Sequence, residues 1–189
     1  MRETTIPLAG EPLALDLVNT VANGPDGDVV DLLASPATAA AWLDAQHALG
    51  RLTDARAGDL DLVALRQLRA HITGCVEQVR QGSAPPPESL AALNDALRAA
   101  PACPRIGWNG TTVTITIARS GDPRRDLCAE LAHAAAQLLG DPAITRVRAC
   151  EGARCRLLFL PAHPKRRWCS PSTCGNRARV ARHYQKHRG

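Results

Sequence analysis

The sequence predicts a mainly helical N-terminal domain with a small β-hairpin, an α+β fold, followed by a small C-terminal module held by a metal ion. Apolar residues recur at helical spacing over most of residues 1–144. Residues 112–117 instead alternate with period two after an Asn-Gly pair. Two pairs of cysteines stand in the last part of the chain. These observations divide the chain into residues 1–144 and residues 145–189.

Length and composition fit one core domain with a small appendage. The chain has 189 residues and 45% hydrophobic residues, which is enough for a core. Aromatic residues make up only 3%, so Leu, Ala and Val must fill that core. No run of about 18 apolar residues and no N-terminal signal sequence is present, so we expect a cytoplasmic protein that does not span a membrane.

Charge is divided unequally between the two parts. Residues 145–189 hold twelve Lys and Arg and one acid, Glu151, a formal charge of +11. The whole chain has 23 basic and 18 acidic residues, which leaves 11 basic and 17 acidic residues, or −6, for residues 1–144. A basic tail on an ordinary domain is typical of nucleic-acid-binding proteins.

The first predicted helix begins at Leu13 and extends to about Ala22. Its apolar residues repeat at four-residue steps, and Asp16 and Asn19 are three residues apart, so they can share a face. One interpretation makes these two residues a polar site for a ligand or for the C-terminal module. The other makes them a solvated helix edge or a cap. A turn follows at residues 23–28.

Four longer helices are predicted in the rest of the first domain. Ser35-Pro36 is a typical helix start, and Trp42 should face inward in that helix. The next helix opens at Thr53 or Asp54 and ends at Gly82, with a stripe of apolar residues of period 3.6. A helix over residues 88–100 should turn Leu90, Leu93 and Leu97 inward, and a final core helix should cover residues 121–140.

The hairpin is predicted around Asn109-Gly110, a strong turn signal. Its second strand alternates Thr with Val or Ile, so we expect a strand with Thr outward and the apolar side chains buried. Three cysteines outside the C-terminal module are expected to be small buried residues; these are Cys75, Cys103 and Cys128.

The metal site is predicted from cysteine spacing. Two C-x4-C pairs are separated by thirteen residues, and the four cysteines are Cys150, Cys155, Cys169 and Cys174. Four thiolates form a closed, structural Zn²⁺ site, and the intervening segment is long enough for a strand or a hairpin. The alternatives are two disulfides or four unrelated buried thiols. Nothing in the chain indicates an oxidising compartment, which disfavours the disulfides.

A helix is predicted after the second cysteine pair, with Ser170 as its N-cap and Pro171 at its first position. This arrangement resembles a treble clef. At 100° per residue, one face carries four residues of basic type, and a second face, with Ala178, Ala181, Tyr184 and Gln185, turns toward the metal. We expect the basic face and the flanking arginines to contact nucleic acid; these residues are Arg166, Arg167, Arg177, Arg179, Arg182, His183 and Lys186. Arg177 points between the faces and could instead bond to Asp16.

Two motifs resemble a known family. Residues 174–177 spell CGNR after Arg167-Trp168-Cys169-Ser170, which resembles the CGNR zinc-finger family. Residues 13–20, LALDLVNT, resemble the motif of the ABATE domain that accompanies this finger. The resemblance covers essentially the whole chain and implies a bacterial, stress-induced transcriptional regulator. It also favours a functional role for Asp16 and Asn19, which belong to the motif.

We therefore expect a DNA-binding transcriptional regulator whose N-terminal domain senses a small molecule or mediates homodimerisation. The alternative is a zinc-stabilised RNA-binding or protein-interaction module. An enzyme is not expected, because four thiolates leave no open metal position and no Gly-rich phosphate loop or nucleophile elbow is present. The two parts should fold independently, so the helical part should survive removal of the metal.

Overall fold

The computed structural model describes residues 10–24, 27–52, 55–119 and 121–187, apart from the side chain of Lys186. The helices in these residues are α1 (Leu13–Val18), α2 (Pro36–Ala48), α3 (Leu62–Arg80), α4 (Pro87–Ala99), α5 (Pro123–Gly140) and α6 (Asn176–Lys186). The strands form antiparallel pairs: β1 (Val21–Asn23) with β2 (Val29–Asp31), β3 (Cys103–Trp108) with β4 (Val113–Ala118), and β5 (Arg148–Ala149) with β6 (Leu158–Phe159). The predicted mainly helical α+β fold is confirmed.

The short helix α1 lies at the centre of the molecule, against α3 and α5. Leu15 and Leu17 on α1 are fully buried, as are Trp42 of α2 and Leu131 of α5. Burial of one such side chain contributes about 1.5–3 kcal/mol. The segment with the ABATE-like motif therefore forms the centre of the core, and Trp42 faces inward as predicted.

The first helix is shorter than predicted. It ends at Val18, and residues Val21–Asn23 form a strand where about one further helical turn was predicted. The Thr20 hydroxyl donates to the Leu17 carbonyl at 2.6 Å, and Asn19 directs its side chain away to a distant segment. The Thr20 bond satisfies a carbonyl at the end of α1, where the chain turns into β1.

The longer helices follow the predicted apolar periodicity, with local differences. The helix predicted to open at Thr53 or Asp54 begins at Leu62, where the Asp61 carboxylate caps two backbone N–H groups; residues 53 and 54 lie outside the described part. On α4, Leu93 is buried but Leu90 is exposed, contrary to expectation. None of the helices in the described part of the chain is both long and apolar enough to cross a membrane.

The predicted hairpin forms, but its apolar face is not buried. Strands β3 and β4 pair in register from Cys103 opposite Ala118 to Trp108 opposite Val113. The exposed fractions of Val113, Ile115 and Ile117 lie between 59% and 71%, so the prediction of a buried face is wrong. Cys103 in β3 is also exposed, although a buried thiol was expected there.

The C-terminal module packs into the core of the helical domain. Val147, Leu157 and Leu158 belong to the same buried cluster as the α1, α3 and α5 side chains. A smaller cluster of Phe159 with Cys150 and Cys174 surrounds the metal site. The two parts share one core, which argues against the expectation that they fold independently.

Candidate metal centre and basic helix

The four predicted cysteines come together at one point. Cys150 follows β5, and the tight turn that ends at Cys155 forms the first knuckle. Cys169 precedes a π-helical turn, Pro171–Gly175, that contains Cys174 and leads into α6; residues 169–174 form the second knuckle. Their sulfur atoms all lie within 4.8 Å of one another. The Sγ atoms of Cys155 and Cys169 are 3.8 Å apart, and those of Cys169 and Cys174 are 3.6 Å apart. Zn–S bonds of about 2.3 Å in a tetrahedron separate the sulfurs by about 3.8 Å, so this donor set fits Zn²⁺.

Backbone geometry builds both knuckles. In the first, Arg154 has a positive φ of 59°, and the Cys155 N–H donates to the Gly152 carbonyl at 2.9 Å, which closes a tight turn. A Cβ at Gly152 would lie 3.0 Å from Cys174 Sγ, so only glycine fits there without displacement of the ligand. In the second, the Ser170 hydroxyl accepts from Thr173 N–H, the N-cap predicted from the sequence.

Hydrogen-bond donors surround the sulfurs. The backbone N–H groups of Gly152 and Cys169 lie 3.4 and 3.3 Å from Cys150 Sγ. The Arg177 guanidinium lies 3.3 Å from Cys174 Sγ. Donors of this kind stabilise thiolates and orient metal ligands. Arg177, the last residue of CGNR, therefore contacts the metal site and does not bond to Asp16.

Without a metal, the cluster favours one thiolate. A hydrogen bond from the Cys169 thiol lowers the pKa of Cys155 to about 5. The same bond, together with burial and the nearby Cys155 charge, raises the pKa of Cys169 far above its usual range. Burial, followed by the Cys155 charge, raises the pKa of Cys174 to about 11. Four ionised thiols in this space therefore require a cation, which agrees with Zn²⁺ as the cofactor.

Comparison with protein families decides the assignment. A family model named ABATE and described as "Putative stress-induced transcription regulator" matches residues 11–142. The chain belongs to the ABATE family. The CGNR zinc-finger model matches residues 146–187, which include all four cysteines. A search of curated proteins found no match. These matches confirm the resemblance of the two motifs to the ABATE and CGNR families. Residues 146–187 form the finger.

In this ABATE protein, Asn19 holds the finger to the helical domain. Its Oδ1 accepts from the Leu158 N–H and its Nδ2 donates to the Leu158 carbonyl, both at 2.8 Å. The Asn19 side-chain amide therefore pairs with the Leu158 backbone as a neighbouring strand would, and both residues are buried. The sequence left several interpretations of Asn19 open. This contact fits the one in which Asn19 forms part of a polar site for the C-terminal module.

Asp16 is buried beside Asn19 on α1 and faces a second set of donors. Its carboxylate accepts from the N–H groups of Gly10 and Glu11, at 3.3 and 3.2 Å, and from Arg51 Nη1 at 2.5 Å. Gln46 also bonds to it. Burial nevertheless raises the pKa of Asp16 to about 6, because the loss of solvation outweighs these contacts. The Asp16 partner is Arg51, not Arg177.

Glu11 forms a second connection between the two parts. One carboxylate oxygen accepts from the Leu160 N–H at 2.8 Å, and the other pairs with Arg166 Nη2 at 2.6 Å. The same guanidinium donates to the Cys169 carbonyl at 2.6 Å and stacks over Phe159. Arg166 was predicted to contact nucleic acid, but its guanidinium is used to hold the finger together and to dock it.

A groove of about 400 Å³ lies where the two parts meet. Arg51 and Gln137 line it with Asp141 and apolar side chains, including Leu160 of the finger. Neither Asp16 nor Asn19 is in its lining. Arg51, which pairs with Asp16, connects the groove to the motif, and the predicted ligand-binding role of Asp16 and Asn19 stays a prediction.

Helix α6 presents the predicted basic residues to solvent. Arg179, Arg182 and His183 are all exposed. Among the described residues, Arg179 and Arg182 contact backbone carbonyls of Pro171 and Ala178, at the long distances of 3.4 and 3.3 Å. Lys186 ends α6, but its side chain lies outside the described residues. Arg167 precedes the second knuckle, is exposed, and pairs with Glu151 at 2.6 Å.

The opposite side of α6 differs from the prediction. Ala181, Tyr184 and Gln185 were expected to face the metal, but all three are exposed. Only Ala178, in the first turn, is partly covered. The helix therefore leaves the finger after one turn and projects from it, with Val180 and Tyr184 exposed beside the basic face.

Three important residues were not found from the sequence. Glu11 and Arg51 act through contacts that span 155 and 35 residues, for which a single sequence has no local signal. Gly152 did have a local signal, because it lies between two predicted metal ligands and glycine is favoured where the backbone approaches a ligand closely.

Proposed function

We propose that this protein is a transcriptional regulator that binds duplex DNA through α6 and the adjoining finger surface. The observation that supports this most strongly is a metal-anchored helix that is exposed after its first turn and carries Arg179, Arg182 and His183 on one side. An isolated helix of this length is marginally stable in water. A helix that lies in the major groove gains both phosphate and base-edge contacts.

Charge supports the same proposal. Residues 145–189 carry a formal charge of +11 against −6 for residues 1–144. Arg166 and Arg177 are engaged within the finger, so the exposed cations on and next to α6 would meet the phosphates. The remaining domain is acidic, and its repulsion from DNA would orient the molecule with the finger toward the duplex.

The N-terminal domain would supply regulation in this proposal. Either a small molecule binds in the groove beside Arg51, or the domain brings two copies together. No catalytic step is proposed, because a four-thiolate Zn²⁺ site leaves no coordination position for water or substrate.

The test is binding to duplex DNA over a salt series, by fluorescence anisotropy, with the zinc-loaded protein. We expect a steep fall in affinity with salt, because each neutralised phosphate releases counterions. The double variant Arg179→Ala/Arg182→Ala should flatten the log–log salt slope by roughly two units. The matched control is Arg98→Ala, which removes an exposed arginine of α4 in the acidic half and should leave the slope unchanged.

Competitors separate the proposed function from its alternative. Structured RNA or heparin that competes as well as duplex DNA would indicate general binding of polyanions. If the double variant retained its zinc and bound DNA as tightly as the parent, the basic face of α6 would be solvated surface that does not contact DNA. The alternative, an RNA-binding or protein-interaction module, would then be favoured.

A further inference from the structure

The β3–β4 ribbon has an apolar face that nothing in the described part of the chain covers. The pairing register places Pro104 opposite Ile117, Ile106 opposite Ile115, and Trp108 opposite Val113, all on one face. The five larger side chains of this set are exposed by 59% to 76%. A two-stranded ribbon exposed in this way is marginally stable alone and normally gains a third strand or a packing partner.

We propose that this face binds the same face of a second copy of the chain, forming a symmetric dimer. The six residues include no charged side chain, so two copies can meet without opposing like charges. Phosphates and highly charged partners find no complementary charge on the face, whereas an identical apolar face is complementary to it.

The area fits a small specific interface. From the usual areas of aliphatic and aromatic side chains, the face exposes on the order of 500 Å² of apolar surface per copy. Contact between two copies would remove on the order of 1,000 Å² from water, the lower limit for a specific interface. Patches of this size on a monomer are commonly binding sites.

Shape supports a two-fold arrangement. Trp108 lies at the turn end of the ribbon and Pro104 at its base, with the Ile106–Ile115 pair between them. When two ribbons pack antiparallel, the large indole of each copy meets the small proline end of the other. The isoleucine pairs then lie at the two-fold axis, as a self-complementary interface requires.

Sedimentation velocity of the full-length, zinc-loaded protein without DNA tests the proposal, over about 1 to about 100 µM. We expect the parent to shift from monomer to dimer across this range. Ile115→Glu and Ile115→Lys should each be monomeric throughout, because each places like charges at the axis. An equimolar mixture of the two variants should dimerise again, because Glu then meets Lys.

Thr116→Glu is the matched control, since Thr116 is exposed on the opposite face of the same strand, and it should dimerise like the parent. A parent that remains monomeric over the whole range overturns the proposal, whatever the variants do. An Ile115→Glu variant that dimerises as strongly as the parent also overturns it. Because no DNA is present, failure of the proposed DNA binding would leave these outcomes unchanged.

Discussion

At the scale of single residues, the absence of a side chain at Gly152 lets the first knuckle pack closely on the metal site. A Cβ at this position would lie 3.0 Å from both Cβ and Sγ of Cys174. We predict that Gly152→Ala lowers zinc affinity by about 10- to 100-fold, a range typical of changes around metal ligands. Competition with a chromophoric chelator measures this. Gly140→Ala is the control, because a Cβ at Gly140 meets no atom within 4 Å, and equal zinc affinities for the two variants would contradict the prediction.

Asp16 is the buried carboxyl whose ionisation should affect stability. Burial raises its pKa from 3.8 to about 6. A raised folded-state pKa means that the folded protein binds more protons than the unfolded chain between these values. The stabilisation from Asp16 is therefore complete below the unfolded pKa and is lost as pH rises through about 6.

Comparison of the parent with Asp16→Asn, which does not ionise, isolates this effect. The unfolding free energy of the parent minus that of the variant should fall by on the order of 2 kcal/mol between about pH 4 and pH 7. Urea unfolding at several pH values measures it. Both proteins carry the same cysteines, so competition between protons and zinc cancels in the difference. A difference that does not change with pH would show that Arg51 keeps Asp16 ionised throughout.

At the scale of elements, α6 is the helix with the least support from the rest of the fold. From Arg179 onward its described side chains are exposed, and its contacts are mainly with the preceding π-helical turn. Local stability depends on buried contacts, so the distal turns should open readily. We predict rapid amide hydrogen exchange over Val180–Gln185 in the free, zinc-loaded protein and clear protection on addition of duplex DNA.

Hydrogen exchange detected by mass spectrometry checks this, and α5 provides the internal reference. Five of its leucine and alanine side chains are exposed by 2% or less, so its central amides should remain protected with and without DNA. Slow exchange across α6 in the free protein would show that the helix is covered before DNA binds. A homodimer contact through α6 would then need to be considered.

At the scale of the whole molecule, the finger and the helical domain are connected by shared core side chains and by two polar contacts. Leu157 and Leu158 pack in the main core, Asn19 pairs with Leu158, and Glu11 pairs with Arg166. Loss of the metal should release the finger and expose its part of this core. Removing zinc should therefore destabilise the helical domain too.

We predict that chelation lowers the thermal midpoint of the helical circular-dichroism signal. Asn19→Ala should lower it as well, by an amount equivalent to about 1–3 kcal/mol, since two buried backbone groups lose their partners. In metal-free protein the same substitution should lower the free energy of unfolding much less, because the contact between Asn19 and Leu158 is already broken. If Asn19→Ala lowered the free energy of unfolding equally with and without zinc, the docking of Leu158 would not depend on the metal.

The metal site, the main helices and the position of the hairpin could be predicted from the sequence because each depends on local spacing. The hairpin register could not, because a two-residue turn at Asn109-Gly110 would place Trp108 opposite Thr111, whereas Trp108 pairs with Val113. Four cysteines in two close pairs can supply one tetrahedral site wherever the intervening chain goes. Apolar periodicity likewise identified α3 and α5, and Asn109-Gly110 identified the turn between β3 and β4. These signals lie within a few residues of the feature they predict.

Only the tertiary structure decided what each face contacts. Alternation in β4 shows that Val113, Ile115 and Ile117 share a face, but not whether another element covers it; the fold leaves that face exposed. Asn19 and Leu158 are 139 positions apart, so their pairing depends on how α1 and the finger pack. Burial and long-range hydrogen bonds are properties of the assembled core, and for this reason the roles of Asn19, Arg166 and the ribbon could not be obtained from local sequence patterns.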